Sequence, residues 1–163
     1  MKPMKHSLPY LCAAALLLIV DQLVKHWVRN HIALFESRDF LPGLIELTYV
    51  QNTGAAFSIL EAHTWLLTLV SAVAVVVLLV LILRGLFPDL LGKISLCLVL
   101  GGAAGNLIDR ALFGYVVDMF RPTFINFAVF NVADIGVTCG GALLCIYVLF
   151  FWQKKRKSGE AAP

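Results

Sequence analysis

Four stretches of this chain, at about 8–28, 65–83, 94–110 and 130–152, are apolar for close to the roughly 20 residues that a helix needs to cross a bilayer. Everything else in the chain has to be arranged at the ends of these segments. Composition points the same way. Hydrophobic residues make up 60% and charged residues 14%, where an ordinary soluble domain is about half apolar and a quarter charged. A chain of 163 residues cannot bury that surplus in one core, because a domain this small still exposes much of its surface. The expected fold class is therefore an all-α membrane protein with four transmembrane helices in a single domain, 1–163.

The first stretch has the basic start and apolar middle of a cleavable leader. No small-x-small cleavage site follows it; Asp21, Gln22 and Lys25 come instead, so it is read as an uncleaved helix. Basic residues near the helix ends set the orientation. With the N-terminus inside, the cytoplasm receives 1–7, 84–93 and the tail from Lys154, which hold most of the Lys and Arg. The outer side keeps Arg29, Arg38, Arg110 and Arg121. A basic face interleaved with aromatics, the footprint of a nucleic-acid binder, is missing.

The outer segments, about 26–64 and 111–129, are more than linkers. Residues 44–50 partly alternate and are rich in strand formers, and Val116–Val117 and 124–130 read similarly. Short strands forming a small extracytoplasmic β-rich cradle are expected there, with a turn at Leu41-Pro42-Gly43-Leu44. The tail 158–163 is expected to be disordered. Gly101, Gly102 and Gly105 on the third span, and Gly136, Gly140 and Gly141 on the fourth, would let helix backbones approach closely in lipid. Cys12, Cys97, Cys139 and Cys145 lie in apolar segments without zinc or redox spacing. They are read as packing residues.

Ionisable groups at membrane depth are expensive, and they normally face a protein interior or a water-filled cavity. Asp21 and Lys25 are four apart and share a helix face, either as an intrahelical ion pair or as part of a site. Asn106, Asp109 and Arg110 cluster at the outer end of the third span, and Asn131 and Asp134 at the outer start of the fourth. Asn131 alone would read as an N-cap and Asp134 as a first-turn acid. Asp118, flanked by Val117 and Met119, is either a surface acid paired with Arg121 or a third member of the cluster. Asp109, Asp118 and Asp134 can therefore converge. Two close carboxylates cannot both ionise readily, so one retains a proton near neutrality and the other is free to accept one. Such a pair performs acid and base work together, as aspartic proteases do. Pattern alone does not choose between Asp109 and Asp118. No nucleophile-elbow serine, zinc-protease histidine motif or phosphate loop is present. An ion relay, or interhelical polar glue, would use the same acids without proteolysis.

Five motifs occur in order: Asp21-Gln22-Leu23-Val24-Lys25, Gln51-Asn52-Thr53-Gly54-Ala55-Ala56-Phe57, Gly105-Asn106-Leu107-Ile108-Asp109-Arg110, Val116-Val117-Asp118 and Phe130-Asn131-Val132-Ala133-Asp134. In this the chain resembles the lipoprotein signal peptidase (signal peptidase II) family over nearly its whole length. The resemblance implies an aspartic endopeptidase of the bacterial cytoplasmic membrane. It would cut prolipoproteins just before a diacylglyceryl-modified cysteine, beside membrane lipids, with no metal or organic cofactor and no nucleic-acid partner. It implies Asp118 and Asp134 as the catalytic pair, and Asn52, Gly54, Asn106, Arg110 and Asn131 as residues lining the site. Asp21, Lys25 and Ala133 would support it. Asp109, beside Arg110, would be a structural ion-pair member. The segment 35–57 would form the sheet that cradles substrate. The segment between Asp118 and Asp134 is shorter than the family pattern, which bears on the outer loop and leaves the chemistry alone.

Overall fold

The computed structural model describes residues 3–54 and 64–152. The motif residues Ala55, Ala56 and Phe57 and the basic tail lie outside the described residues. Among the described residues, four helices are long and apolar enough to cross a membrane. They are α1 (Pro3–His31), α2 (Thr64–Leu83), α3 (Leu90–Phe113) and α4 (Val132–Ile146), the last continued as a π-helix over Tyr147–Trp152. Lipid offers no partner for backbone N–H and C=O groups, so a span bonded within itself is the form such apolar runs take.

Burial shows how the helices share surface. On α1, Ser7, Ala14, Asp21, Lys25 and Val28 are buried, followed by Ile32 just past its end. They recur at sevens, fours and threes and form one stripe, which is the packing face of a helix whose other sides meet lipid. Helix α3 is central, with Leu96, Leu100, Gly101, Gly102, Gly105, Asn106 and Asp109 all buried. On α2 only Leu78 and Ile82 are buried, while Val70, Val73, Val76 and Val80 are exposed. In water that surface would be an aggregation patch; in hydrocarbon it needs no cover. The small residues act as the sequence suggests. A Cβ on Gly102 would overlap the Ala133 carbonyl oxygen of α4, so only glycine permits this approach of α3 to α4.

A three-stranded antiparallel sheet, β1 (Ser37–Leu41), β2 (Ile45–Asn52) and β3 (Val116–Pro122) in that order, sits at the far end of α1 and α3. Val28, Ile32, Tyr49, Val117 and Met119 form the small core beneath it. The β2–β3 register is irregular between Leu47 and Val50 and resumes with Val50 opposite Asp118. The strand expected at 124–130 does not form. Pro122 lacks the N–H needed to extend the ladder, and the Thr123 N–H turns to the Leu44 carbonyl at 3.0 Å. The chain then bends and returns at Phe130, which makes a single bridge to Phe120. At the opposite end, a second core gathers Ala14, Leu78, Ile82, Phe87, Leu96, Cys97, Leu100 and Tyr147.

Candidate active site

The sheet end of the bundle carries a cleft of about 470 Å3, walled by Val116, Phe127, Val129, Phe130, Ile135, Val137 and Thr138. Its polar floor is Asn52, Asn106, Arg110, Asp118 and Asp134. The five floor residues come from four elements. Asn52 closes β2, Asp118 is in mid-β3, Asn106 and Arg110 are in the last turns of α3, and Asp134 is in the first turn of α4.

The start of α4 explains two of these positions. Asn131 is extended and N-caps the helix: its side chain accepts from the Asp134 N–H at 2.8 Å, and the Asp134 carboxylate accepts from the Asn131 N–H at 3.1 Å. This reciprocal capping box fixes Asp134 on the cleft side of the first turn. The remaining donor of Asn131 bonds one Asp118 oxygen at 2.6 Å and Asn106 Oδ1 at 3.2 Å. Asn52 donates to the other Asp118 oxygen at 2.9 Å. Asn106 Nδ2 donates to Asp134 at 2.8 Å. The two carboxylates are thus tied into one network through Asn106 and Asn131. Asp118 is 2% exposed. Burial, and next the negative charge of Asp134, push its carboxyl up to about 7, against the opposing hydrogen bonds of Asn52 and Asn131.

Behind the floor lies a buried ion cluster. Lys25 Nζ stands 2.9 Å from Asp21, 3.1 Å from Asp109 and 2.8 Å from Asn106 Oδ1. Asp21 also accepts from the Ala133 N–H at 2.8 Å, and Asp109 from the Val117 N–H at 3.0 Å. The cluster therefore joins α1, α3, α4 and β3 at one point. Asp109 is an ion-pair member, but its cation is Lys25 and not the adjacent Arg110. Arg110 points the other way and donates to the Gly54 carbonyl at 3.0 Å, while its Nε is buried with no hydrogen-bond partner among the described residues. Gly54 is further held by its N–H on Asn52 Oδ1 at 2.9 Å. Nor does Arg121 pair with Asp118; it reaches Ser37 at 3.0 Å and Glu46 at 3.8 Å.

All eleven residues singled out from the sequence thus meet at one end of the bundle. Gln22 escaped that reading. Its amide donates to Asp109 at 3.0 Å, to the Gly105 carbonyl at 3.2 Å and to Asp21 at 3.2 Å. Its place between Asp21 and Lys25, one residue off an apolar helix face, was the available signal. Among the described residues, no group of three or more His, Cys, Asp or Glu side chains is arranged to hold a metal ion. What the floor offers is paired carboxylates, one poised to carry a proton near neutrality, facing an apolar cleft.

Comparison with known proteins adds independent findings. The sequence model of a family described as signal peptidase (SPase) II matches residues 13–150. A lipoprotein signal peptidase of Streptococcus agalactiae serotype Ia is 42% identical over 140 residues, covering 86% of this chain and 89% of that protein. One from Latilactobacillus sakei is 40% identical over 146 residues, covering 90% and 95%. A bacterial membrane enzyme solved by the in meso method at 2.3 Å superposes with a TM-score of 0.82 at 25% identity, over 95% of this chain and 93% of that one. A second, at 1.9 Å, gives 0.79 at 27% identity, over 88% and 94%.

Proposed function

The chain belongs to the signal peptidase II family, multi-pass bacterial membrane proteases that remove signal peptides from prolipoproteins, and on that premise we propose that Asp118 and Asp134 are its catalytic dyad. The observation that carries this reading is the network in which Asn131 and Asn106 tie both carboxylates to one cleft floor. Asp118, the member pushed up to about 7, supplies the proton, and Asp134 accepts one.

In the proposed step, Asp134 removes a proton from water as its oxygen attacks the scissile carbonyl carbon. Asp118 gives its proton to the carbonyl oxygen, and a tetrahedral diol results. Asp134 then protonates the leaving amine, Asp118 recovers a proton from the diol, and the C–N bond breaks. The products are the signal-peptide carboxylate and a lipoprotein with a free amine on its first residue. No acyl-enzyme, metal or organic cofactor enters. Lys25, Asp21, Asp109 and Ala133 hold the floor from behind, and Arg110 fixes the Gly54 carbonyl at its rim.

The substrate bond is the one preceding a diacylglyceryl-modified cysteine. Acyl chains left in the bilayer would hold that bond beside the apolar wall and lower the entropic cost of alignment. The whole chain acts as one integral-membrane peptidase domain of the cytoplasmic membrane, with both termini cytoplasmic and the cleft near the outer face. The basic residues of 1–7, 84–93 and the tail support that orientation. Purified wild type, Asp118→Asn, Asp134→Asn and Asp109→Asn are to be incubated with a diacylglyceryl prolipoprotein and then with added chelator. Wild type should cleave, chelator or not. The two dyad variants should lose about 10²-fold or more while folded. Normal cleavage by Asp118→Asn would move the assignment to Asp109.

A further inference from the structure

The second cavity of the bundle lies at the end remote from the cleft and plays no part in the chemistry above. It measures about 430 Å3, between the first turns of α1, the end of α2, the turn that follows and the first turns of α3. Its walls are apolar: Leu81, Ile82, Phe87 and Leu96. Among the described residues its charged lining is of one sign, Arg84 and Lys93, and includes no carboxylate.

Neither cation is engaged in an ion pair among the described residues. Lys93 Nζ rests 5.2 Å over the ring of Tyr10, a neutral partner that leaves its charge uncancelled. The cavity is also held open by contacts on both sides. Ser7 donates to the Ile82 carbonyl at 3.0 Å, fixing α1 against the end of α2. Across the turn, Phe87 meets Tyr147 and Trp152 edge-on, each at 5.1 Å between centroids. The Tyr147 hydroxyl donates to Asp89 at 2.8 Å. The π-helical end of α4 thus clamps the turn that carries Arg84, so little ordering remains to be done on binding.

A preformed pocket with apolar walls and two cations that have no ion-pair partner among the described residues, opening beside the lipid-facing helix α2, fits one ligand chemistry. We propose that this cavity binds the phosphodiester headgroup of an anionic glycerophospholipid, held by Arg84 and Lys93 with its glycerol and upper acyl carbons against Leu81 and Leu96. Basic pockets between spans at the cytoplasmic side recognise lipid headgroups by this combination of charge and apolar surface. A zwitterionic lipid such as phosphatidylcholine carries a cationic ammonium group that two cations repel, so the site discriminates by headgroup.

The test is thermal unfolding of the purified protein in detergent, with dioleoyl phosphatidylglycerol, dioleoyl phosphatidylcholine or soluble glycerol phosphate added. Wild type, Arg84→Gln, Arg84→Gln/Lys93→Gln and the charge-matched control Arg38→Gln/Arg121→Gln are compared. Phosphatidylglycerol should raise the wild-type midpoint at least about twice as much as phosphatidylcholine does, as expected of a ligand that binds only the folded state. The difference should shrink in Arg84→Gln, vanish in the double variant and persist in the control. Arg84 is exposed, so its single variant tests the idea even if the double variant fails to fold. Equal shifts by both lipids, or a difference that survives Arg84→Gln undiminished, would overturn the proposal. Protection by glycerol phosphate equal to that by phosphatidylglycerol would also overturn it, since the site would then take a free phosphate.

Discussion

Asp118 accepts from amide donors at both oxygens, and such bonds favour the charged form. Burial and the charge of Asp134 outweigh them and push the group from 3.8 up to about 7. Between those values the folded protein holds a proton that the unfolded chain has released. Asp118 therefore contributes stability in full below the unfolded value, and that contribution is lost as pH rises through about 7. Two outcomes are expected. The stability of wild type relative to Asp118→Asn should fall as pH rises from about 4 to about 7 and level off above that, read by thermal unfolding in detergent. The single-turnover cleavage rate should fall along an alkaline limb centred near 7, because the acid is then spent; a rate still climbing at about pH 8 would assign the acid role elsewhere. Behind the proposed dyad, Lys25 is the cation that Asp21 and Asp109 share at 0% exposure. Lys25→Met would leave both acids buried without it, at a cost of roughly 3–5 kcal/mol. Lys25→Met/Asp109→Asn should recover part of that loss. Gln22→Leu removes the donor to Asp109 and the Gly105 carbonyl, and should destabilise by about 1–3 kcal/mol. Equal unfolding midpoints for Gln22→Leu and wild type would mean that water replaces the amide.

At the scale of elements, helix α4 does two jobs with one turn: its capping box starts the helix and aims Asp134. The glycines of α3 and α4 differ in what they do. Gly102→Ala places a methyl into the Ala133 carbonyl, whereas Gly141→Ala meets nothing within 4 Å. The first should destabilise by about 1–3 kcal/mol and slow cleavage by shifting Ala133 and Asp134. The second should be neutral on both readouts, and equal effects would refute the packing account. The spans were legible in the sequence because length and apolarity are local properties, and so was the N-cap role of Asn131. Partners were less so. Asp109 looked like a mate for its neighbour Arg110, but on a helix end those two side chains diverge, and the true cation comes from α1. That contact depends on how α1 rotates against α3, which small-residue packing decides and no short window reveals. The segment 124–130 alternates as a strand does, yet Pro122 ends the ladder before it can pair. Strand β1, exposed along its whole length, has no buried face and so gave no periodic signal of its own.

Over the whole molecule, the two cavities separate: the cleft with Asp118 and Asp134, and the sheet, occupy one end of the bundle, and the cavity with Arg84 and Lys93 the other. If the cleft faces outward, a cysteine at Ser37, in a background without the four native cysteines, should react with a membrane-impermeant maleimide on intact spheroplasts. A cysteine at Leu86 should react only after lysis, and the reverse pattern would invert the topology. The buried ion cluster also bears on how such a chain is made. Synthesis delivers α1 to the membrane before α3 exists. Asp21 and Lys25, one turn apart on α1 and 2.9 Å from each other, let that helix enter lipid carrying its own counter-ion. Asp109 arrives later and divides a cation that was already neutralised. Its extra charge is met by the Gln22 amide and by the Val117 N–H, which is emitted only after α3 itself. The order of the residues along the chain thus lets the first helix enter the bilayer as a closed pair, with the Val117 and then the Ala133 N–H following as the later donors to the cluster.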